Sequence, residues 1–164
     1  MTSIQFGSAF SRNQHMNIWE LHPAFVHFPL AFLFSSTLLE FVARSRRKEG
    51  LSRVAVGLLA AGVISAPIAA LGGLVAFFTA PVPTDEAHVR MIIHGVLAAL
   101  ATAAYALTLA LRWKNQGEPA SKGALSLSVL GALLLGATGA VGGYLVYQDG
   151  VGMEPTVPRF VDPN

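Results

Sequence analysis

Histidine stands at five positions, and four of them form two spaced pairs, His22 with His27 and His88 with His94. Imidazole is the commonest metal ligand among side chains and the side chain that titrates nearest neutral pH. Two imidazoles on facing helices can hold one haem iron from opposite sides, as in a b-type cytochrome. Copper or zinc is the alternative, because His15, Met16, His22, His27, His88 and Met153 offer nitrogen and thioether donors. The chain has no Cys, which excludes disulfides, thiolate metal sites and covalently attached c-type haem.

The elements that carry these histidines are read from hydropathy. The 164 residues are 53% hydrophobic and 12% charged, about half the charged fraction of a soluble domain. The apolar residues come in four uninterrupted blocks, each long enough to cross a bilayer core of about 30 Å at about 1.5 Å per residue. The reading is an all-α integral membrane protein, a four-helix up-and-down bundle with spans at about 23–43, 51–78, 85–112 and 123–147. Residues 1–21 form an N-terminal arm, 22–149 the transmembrane domain and 150–164 a C-terminal arm. Pro23 suits a first helical turn. Pro67 and the Gly72-Gly73 pair are expected to kink the second span. Thr84 is an N-cap, with Asp85 and Glu86 in the turn it opens. Met1 to Trp19 lacks the apolar core of a cleavable signal peptide.

Eight of the eleven Lys and Arg residues flank the two loops that follow the first and third spans: Arg44, Arg46, Arg47, Lys48, Arg53, Arg112, Lys114 and Lys122. The positive-inside rule places these loops in the cytoplasm and both termini in the periplasm, across a bacterial inner membrane. Trp113 suits the inner interfacial belt, and Trp19, Tyr144 and Tyr147 the outer one. The net charge of +2 is small, and the basic residues sit beside apolar blocks, so the charge sets topology rather than nucleic-acid binding.

Depth then separates the histidines. His27 lies about 7.5 Å below His22, and His94 about 9 Å below His88, at about 1.5 Å per residue. His15 falls on the outer arm, His22 and His88 at the interface, and His27 with His94 inside the bundle. The expected site is therefore a single haem b with His27 and His94 as axial ligands, and with His22 and His88 as the second choice. Gly95, Gly72, Gly73, Gly139, Gly142 and Gly143 offer helix surface without side chains, and Phe25, Phe28, Phe32 and Phe77 offer walls. Arg90 is placed to meet a haem propionate. Glu40, near the inner end of the first span, is expected to snorkel or to pair with Arg44. No polar pathway through the spans is read, so transport is not expected. Ser35, Ser36 and Ser65 lack acidic partners, so hydrolysis is not expected either.

The stretch Leu21-His22-Pro23-Ala24-Phe25-Val26-His27-Phe28-Pro29-Leu30 resembles the opening of the bacterial membrane-protein family called domain of unknown function 2231. Gly142 to Gly152, reading GGYLVYQDGVG, is similar to that family's close. The family commonly carries His where Asp149 stands and an acidic residue after a glycine in the second span, and this chain has neither. The resemblance covers about Leu21 to Met153. It implies a four-helix membrane fold in an electron-transfer setting, because such domains occur beside cytochrome c, Rieske and quinoprotein dehydrogenase modules. The functional expectation is a b-type cytochrome-like subunit exchanging electrons with a periplasmic cytochrome c or dehydrogenase, or with quinone, inside a larger complex. Two alternatives stand beside it. One is a cofactor-free structural or assembly subunit of a respiratory or photosynthetic complex, clamped by the arms Met1–Glu20 and Gly152–Asn164. The other is a copper or zinc binding protein at the periplasmic face. An accessory or electron-transfer subunit is expected rather than an enzyme.

Overall fold

The structure, a computed structural model, describes residues 17–153. Among the described residues every regular element is helical: a 3-10 turn at Ile18–Glu20, then α1 (Leu21–Phe25), α2 (His27–Arg46), α3 (Glu49–Thr79), α4 (Asp85–Arg112) and α5 (Lys122–Tyr147). The 3-10 turn, α1 and α2 run together as a first span, Ile18–Arg46, and α3, α4 and α5 are the second, third and fourth spans. All four are long and apolar enough to cross a membrane. Large apolar side chains such as Leu38, Ile64, Leu71, Phe78, Leu100, Leu111 and Leu133 point outward. That outward-facing layer belongs against lipid, where the backbone is satisfied within each helix.

Local chemistry sets the element ends. Thr84 accepts the Ala87 N–H at 3.1 Å and Ser121 accepts the Ala124 N–H at 3.2 Å, so both later spans open on a hydroxyl cap. The first span closes on Arg47 in the left-handed region (φ 50), with the Lys48 N–H on the Ala43 carbonyl at 3.0 Å. The fourth closes through Gly150 (φ 69) and Gly152 (φ 78), where glycine carries no β-carbon penalty. From there the Gly152 N–H reaches the Pro81 carbonyl at 3.0 Å. The helical run of the first span begins at Ile18, earlier than the apolar block suggests. It changes hydrogen bonding at Val26, between α1 and α2, where Pro29 has no N–H to offer the preceding turn. The second span is one continuous helix that includes Pro67, Gly72 and Gly73.

Consecutive spans pair into two hairpins, first with second and third with fourth. The hairpins then join through the second and third spans and through the first and fourth. The result is a closed square with the two basic loops at one end, here the basic end. His22, His88, His94, Asp149 and the limits of the described chain lie toward the other, the histidine end.

The hairpins repeat one another. In the first span, His22, Leu33, Ser36 and Glu40 correspond to His94, Tyr105, Thr108 and Arg112 in the third, always 72 positions on. In the second span, Ala55, Leu59, Gly62, Ala69 and Gly73 correspond to Ala124, Ser128, Gly131, Thr138 and Gly142 in the fourth, always 69 positions on. The contacts repeat as well. Leu33 packs where a β-carbon on Gly62 would stand, and Tyr105 where one on Gly131 would stand. Leu33 and Tyr105 are both fully buried and, with Leu59, form the centre of the core.

Candidate functional site

The two hairpins bring His22 and His94 together across the bundle. Their ring centroids are 6.0 Å apart and the planes are nearly perpendicular, at 86°. Each ring is fixed by its own hairpin partner. His22 Nδ1 lies 2.9 Å from the Ala69 carbonyl oxygen, and His94 Nδ1 lies 2.9 Å from the Thr138 carbonyl oxygen. A carbonyl can only accept, so each Nδ1 carries the proton and donates it. In the neutral ring that leaves the Nε2 lone pair of both residues uncommitted. The rings rest on glycine: a β-carbon on Gly73 would be 3.0 Å from His22 Cε1, and one on Gly142 would be 2.9 Å from His94 Cε1. Gly72 gives the same clearance to the His22 backbone, at 3.2 Å from its Cα. Donor, acceptor and glycine seat thus occur twice, once per hairpin.

His22 occupies the place that depth alone assigns to His27. His27 is exposed on the first span, because five residues of helix turn it about 140° from His22 at 3.6 residues per turn. His88 is also exposed and packs edge-on against Phe77, with centroids 4.7 Å apart. Phe28 is exposed, and Gly95 has open space beside it. Neither is brought to the His22–His94 pair. Gly139 and Gly143 likewise have nothing near them. His15 and Met16 lie outside the described residues, and Met153 is exposed at their edge. Among the described residues no three His, Cys, Asp or Glu side chains gather as a metal site.

Arg90 has a protein partner. Its Nε and Nη2 donate to Asp149 at 2.7 and 2.8 Å, a bidentate fork on a buried carboxylate. Its guanidinium also lies 5.4 Å from the Tyr144 ring centroid. Asp149, a position where the chain departs from the pattern it resembles, therefore ties the end of the fourth span to the start of the third.

A second polar cluster, which the sequence reading missed, fills the basic end. Glu40 is buried and pairs with Arg112 rather than Arg44, at 3.4 Å. Glu40 also accepts the Ala120 N–H at 2.5 Å, and Arg112 Nη2 donates to Ser52 Oγ at 2.5 Å and to the Glu118 carbonyl at 2.6 Å. Arg44 donates instead to the Ala120 carbonyl. At mid-bundle, Thr37 Oγ1 lies 2.7 Å from Ser128 Oγ and 3.1 Å from the Tyr105 hydroxyl. The spans therefore do carry interior polar groups, grouped in layers. The available signal was an acid at 40 and a base at 112, each inside an apolar block at the same end of the bundle.

A family model described as predicted membrane protein, DUF2231, matches residues 19–155. No curated protein matches the chain, and no solved structure does.

Proposed function

Because the chain belongs to the DUF2231 family of predicted membrane proteins, a description that names no activity, we propose its function from the paired imidazoles: a membrane electron-transfer subunit in which His22 and His94 hold one haem iron. The observation that carries this reading is the pair itself, 6.0 Å between centroids with both Nδ1 atoms anchored to backbone carbonyls. Metal-bound histidine almost always donates its other ring N–H in this way, which fixes tautomer and orientation. Two imidazoles sharing one metal at about 2.0–2.1 Å each would have ring centres on the order of 6 Å apart. When bound, haem would supply a one-electron couple tuned by the two imidazoles that would hold it. The residues of the chain do the rest: the carbonyls of Ala69 and Thr138 orient the rings, and the glycines seat them.

The positive-inside rule puts the basic end in the cytoplasm and the histidine end in the periplasm of a bacterial inner membrane. The partner would then be a periplasmic cytochrome c or dehydrogenase, or quinone, within a larger complex. The deciding experiment is a reduced-minus-oxidised optical spectrum of protein purified after expression with haem supply. The wild type and His27→Ala should show a b-type spectrum, and His22→Ala and His94→Ala should lose at least tenfold in haem content. No haem absorbance in folded wild-type protein overturns the reading.

A cofactor-free structural subunit is the second reading, favoured by the close seating of both rings on Gly73 and Gly142. There the pair would be an interhelical clasp. For a copper or zinc site, no three His, Cys, Asp or Glu side chains gather among the described residues, and zinc usually takes four ligands. Elemental analysis separates it from haem.

A further inference from the structure

At the basic end, a small cavity lies where the hairpins meet, lined by Ser36, Glu40, Thr108, Arg112 and Ser128 among apolar neighbours. It offers about 10 Å³ to the centre of a water molecule, which is room for about one water and nothing larger. Ser36 with Thr108, and Glu40 with Arg112, are equivalent positions of the two hairpins, so both repeats contribute to the lining. Arg112 is 4% exposed, and both terminal nitrogens of its guanidinium are hydrogen-bonded, to Asn115, Glu118, Ser52 and Glu40. Its Nε is buried with no protein partner. An unpaired buried donor costs about 1–3 kcal/mol, more when charged. A small cavity with hydroxyl and carboxylate groups in its lining beside such a donor is where a buried water belongs, because a water needs two to four polar partners.

We propose that this cavity is a binding site for a single ordered water, held by Arg112 Nε and by hydroxyl or carboxylate oxygens of the lining. The water accepts from Nε–H and donates to oxygens of the lining, which both hairpins supply through Ser36 and Glu40 on one and Thr108 and Ser128 on the other, so it joins the repeats where the protein alone leaves a donor unmet. It also extends the polar cluster inward. Ser128 lines the cavity and lies 2.7 Å from Thr37, which in turn reaches the Tyr105 hydroxyl at 3.1 Å. One water therefore links the ion pair at the basic end to a tyrosine in the core. None of this depends on a haem at the histidine end.

The test is water-edited solid-state NMR on the full-length protein, labelled with ¹⁵N-arginine and reconstituted in lipid bilayers. The Arg112 Nε–H signal is assigned by its loss in Arg112→Lys. It should receive magnetisation from water at short mixing times. Ser128→Val, which fills the cavity and removes a hydroxyl, should cut that transfer at least twofold while the Nε–H signal itself persists. Thr108→Val, close in shape to the native side chain, should do the same and serves if Ser128→Val fails to fold. Absence of transfer in the wild type overturns the proposal. So does transfer that survives both substitutions, since that water would come from the loop side.

Discussion

A methyl group at Gly142 would stand 2.9 Å from His94 Cε1, while one at Gly136, six residues earlier on the same helix, would meet nothing within 4 Å. The two glycines look alike in sequence and differ only in what faces them. Gly142→Ala should destabilise the protein by about 1–3 kcal/mol, the usual cost of forcing volume into a packed site. Gly136→Ala should leave stability unchanged or raise it by up to about 1 kcal/mol, the helix propensity difference. Thermal unfolding in detergent compares the two, and equal effects would contradict the seating described. The Glu40–Arg112 pair makes a sharper case. Arg112→Met leaves a buried carboxylate without its cation, a loss of about 3–5 kcal/mol. Adding Glu40→Gln should cost less than the sum of the single changes, with a coupling of about 0.5–3 kcal/mol. At this scale the sequence was only partly legible. A histidine inside a span announces itself, but its rotational phase does not. His27 and His22 differ by about 140° around the helix, and only packing decides which of them meets His94.

The elements were far more legible. The expected third span, 85–112, coincides with Asp85–Arg112, and the expected fourth, 123–147, differs from Lys122–Tyr147 at one end by a residue. Long apolar blocks bounded by polar turns leave little choice of length, and Thr84 marks its boundary with a specific hydrogen bond. Thr84→Ala should cost about 1 kcal/mol of stability through the lost cap, read as a lower unfolding temperature. Thr84→Ser should retain most of it. Harder to read was the start of the first span. Ile18 to Leu21 lies before the apolar block, yet the helix begins there, with the Glu20 N–H on the Asn17 carbonyl at 2.9 Å. That early start carries His22 into the bundle instead of leaving it at the cap. Pro67, where a kink is expected, lies inside one continuous helix, Glu49–Thr79. In a membrane helix, neighbouring spans and side chains make up for a missing N–H.

At the scale of the whole molecule, the two hairpins share a plan that plain sequence comparison conceals. Four of the nine matched positions carry the same residue: His22 and His94, Ala55 and Ala124, Gly62 and Gly131, and Gly73 and Gly142. Leu33 with Tyr105 and Glu40 with Arg112 do not. Identity is kept where a ring or a close backbone approach needs it. It is lost where the halves must complement each other, as at the ion pair, where two copies of one charge would repel. The four-span architecture followed from hydropathy, but the repeat became visible only once contacts showed which residues are equivalent.

The turn at Gly150–Gly152 has a consequence for how the chain can be rewired. Gly152 donates to the Pro81 carbonyl, and a β-carbon on it would lie 3.6 Å from Trp19 Cδ1. The two limits of the described chain are therefore neighbours, and both sit beside the loop that joins the hairpins. A flexible linker of six residues, with an average reach of about 13 Å, should close residues 17–153 into a ring. Reopening that ring between Val82 and Pro83 would exchange the order of the hairpins along the chain. Such a circular permutant should insert into membranes and keep the His22–His94 and Glu40–Arg112 contacts. Cysteine cross-linking between the first and third spans would report them. A permutant that inserts but fails to cross-link would mean that the order of synthesis, and not the matched faces alone, directs the hairpins to each other.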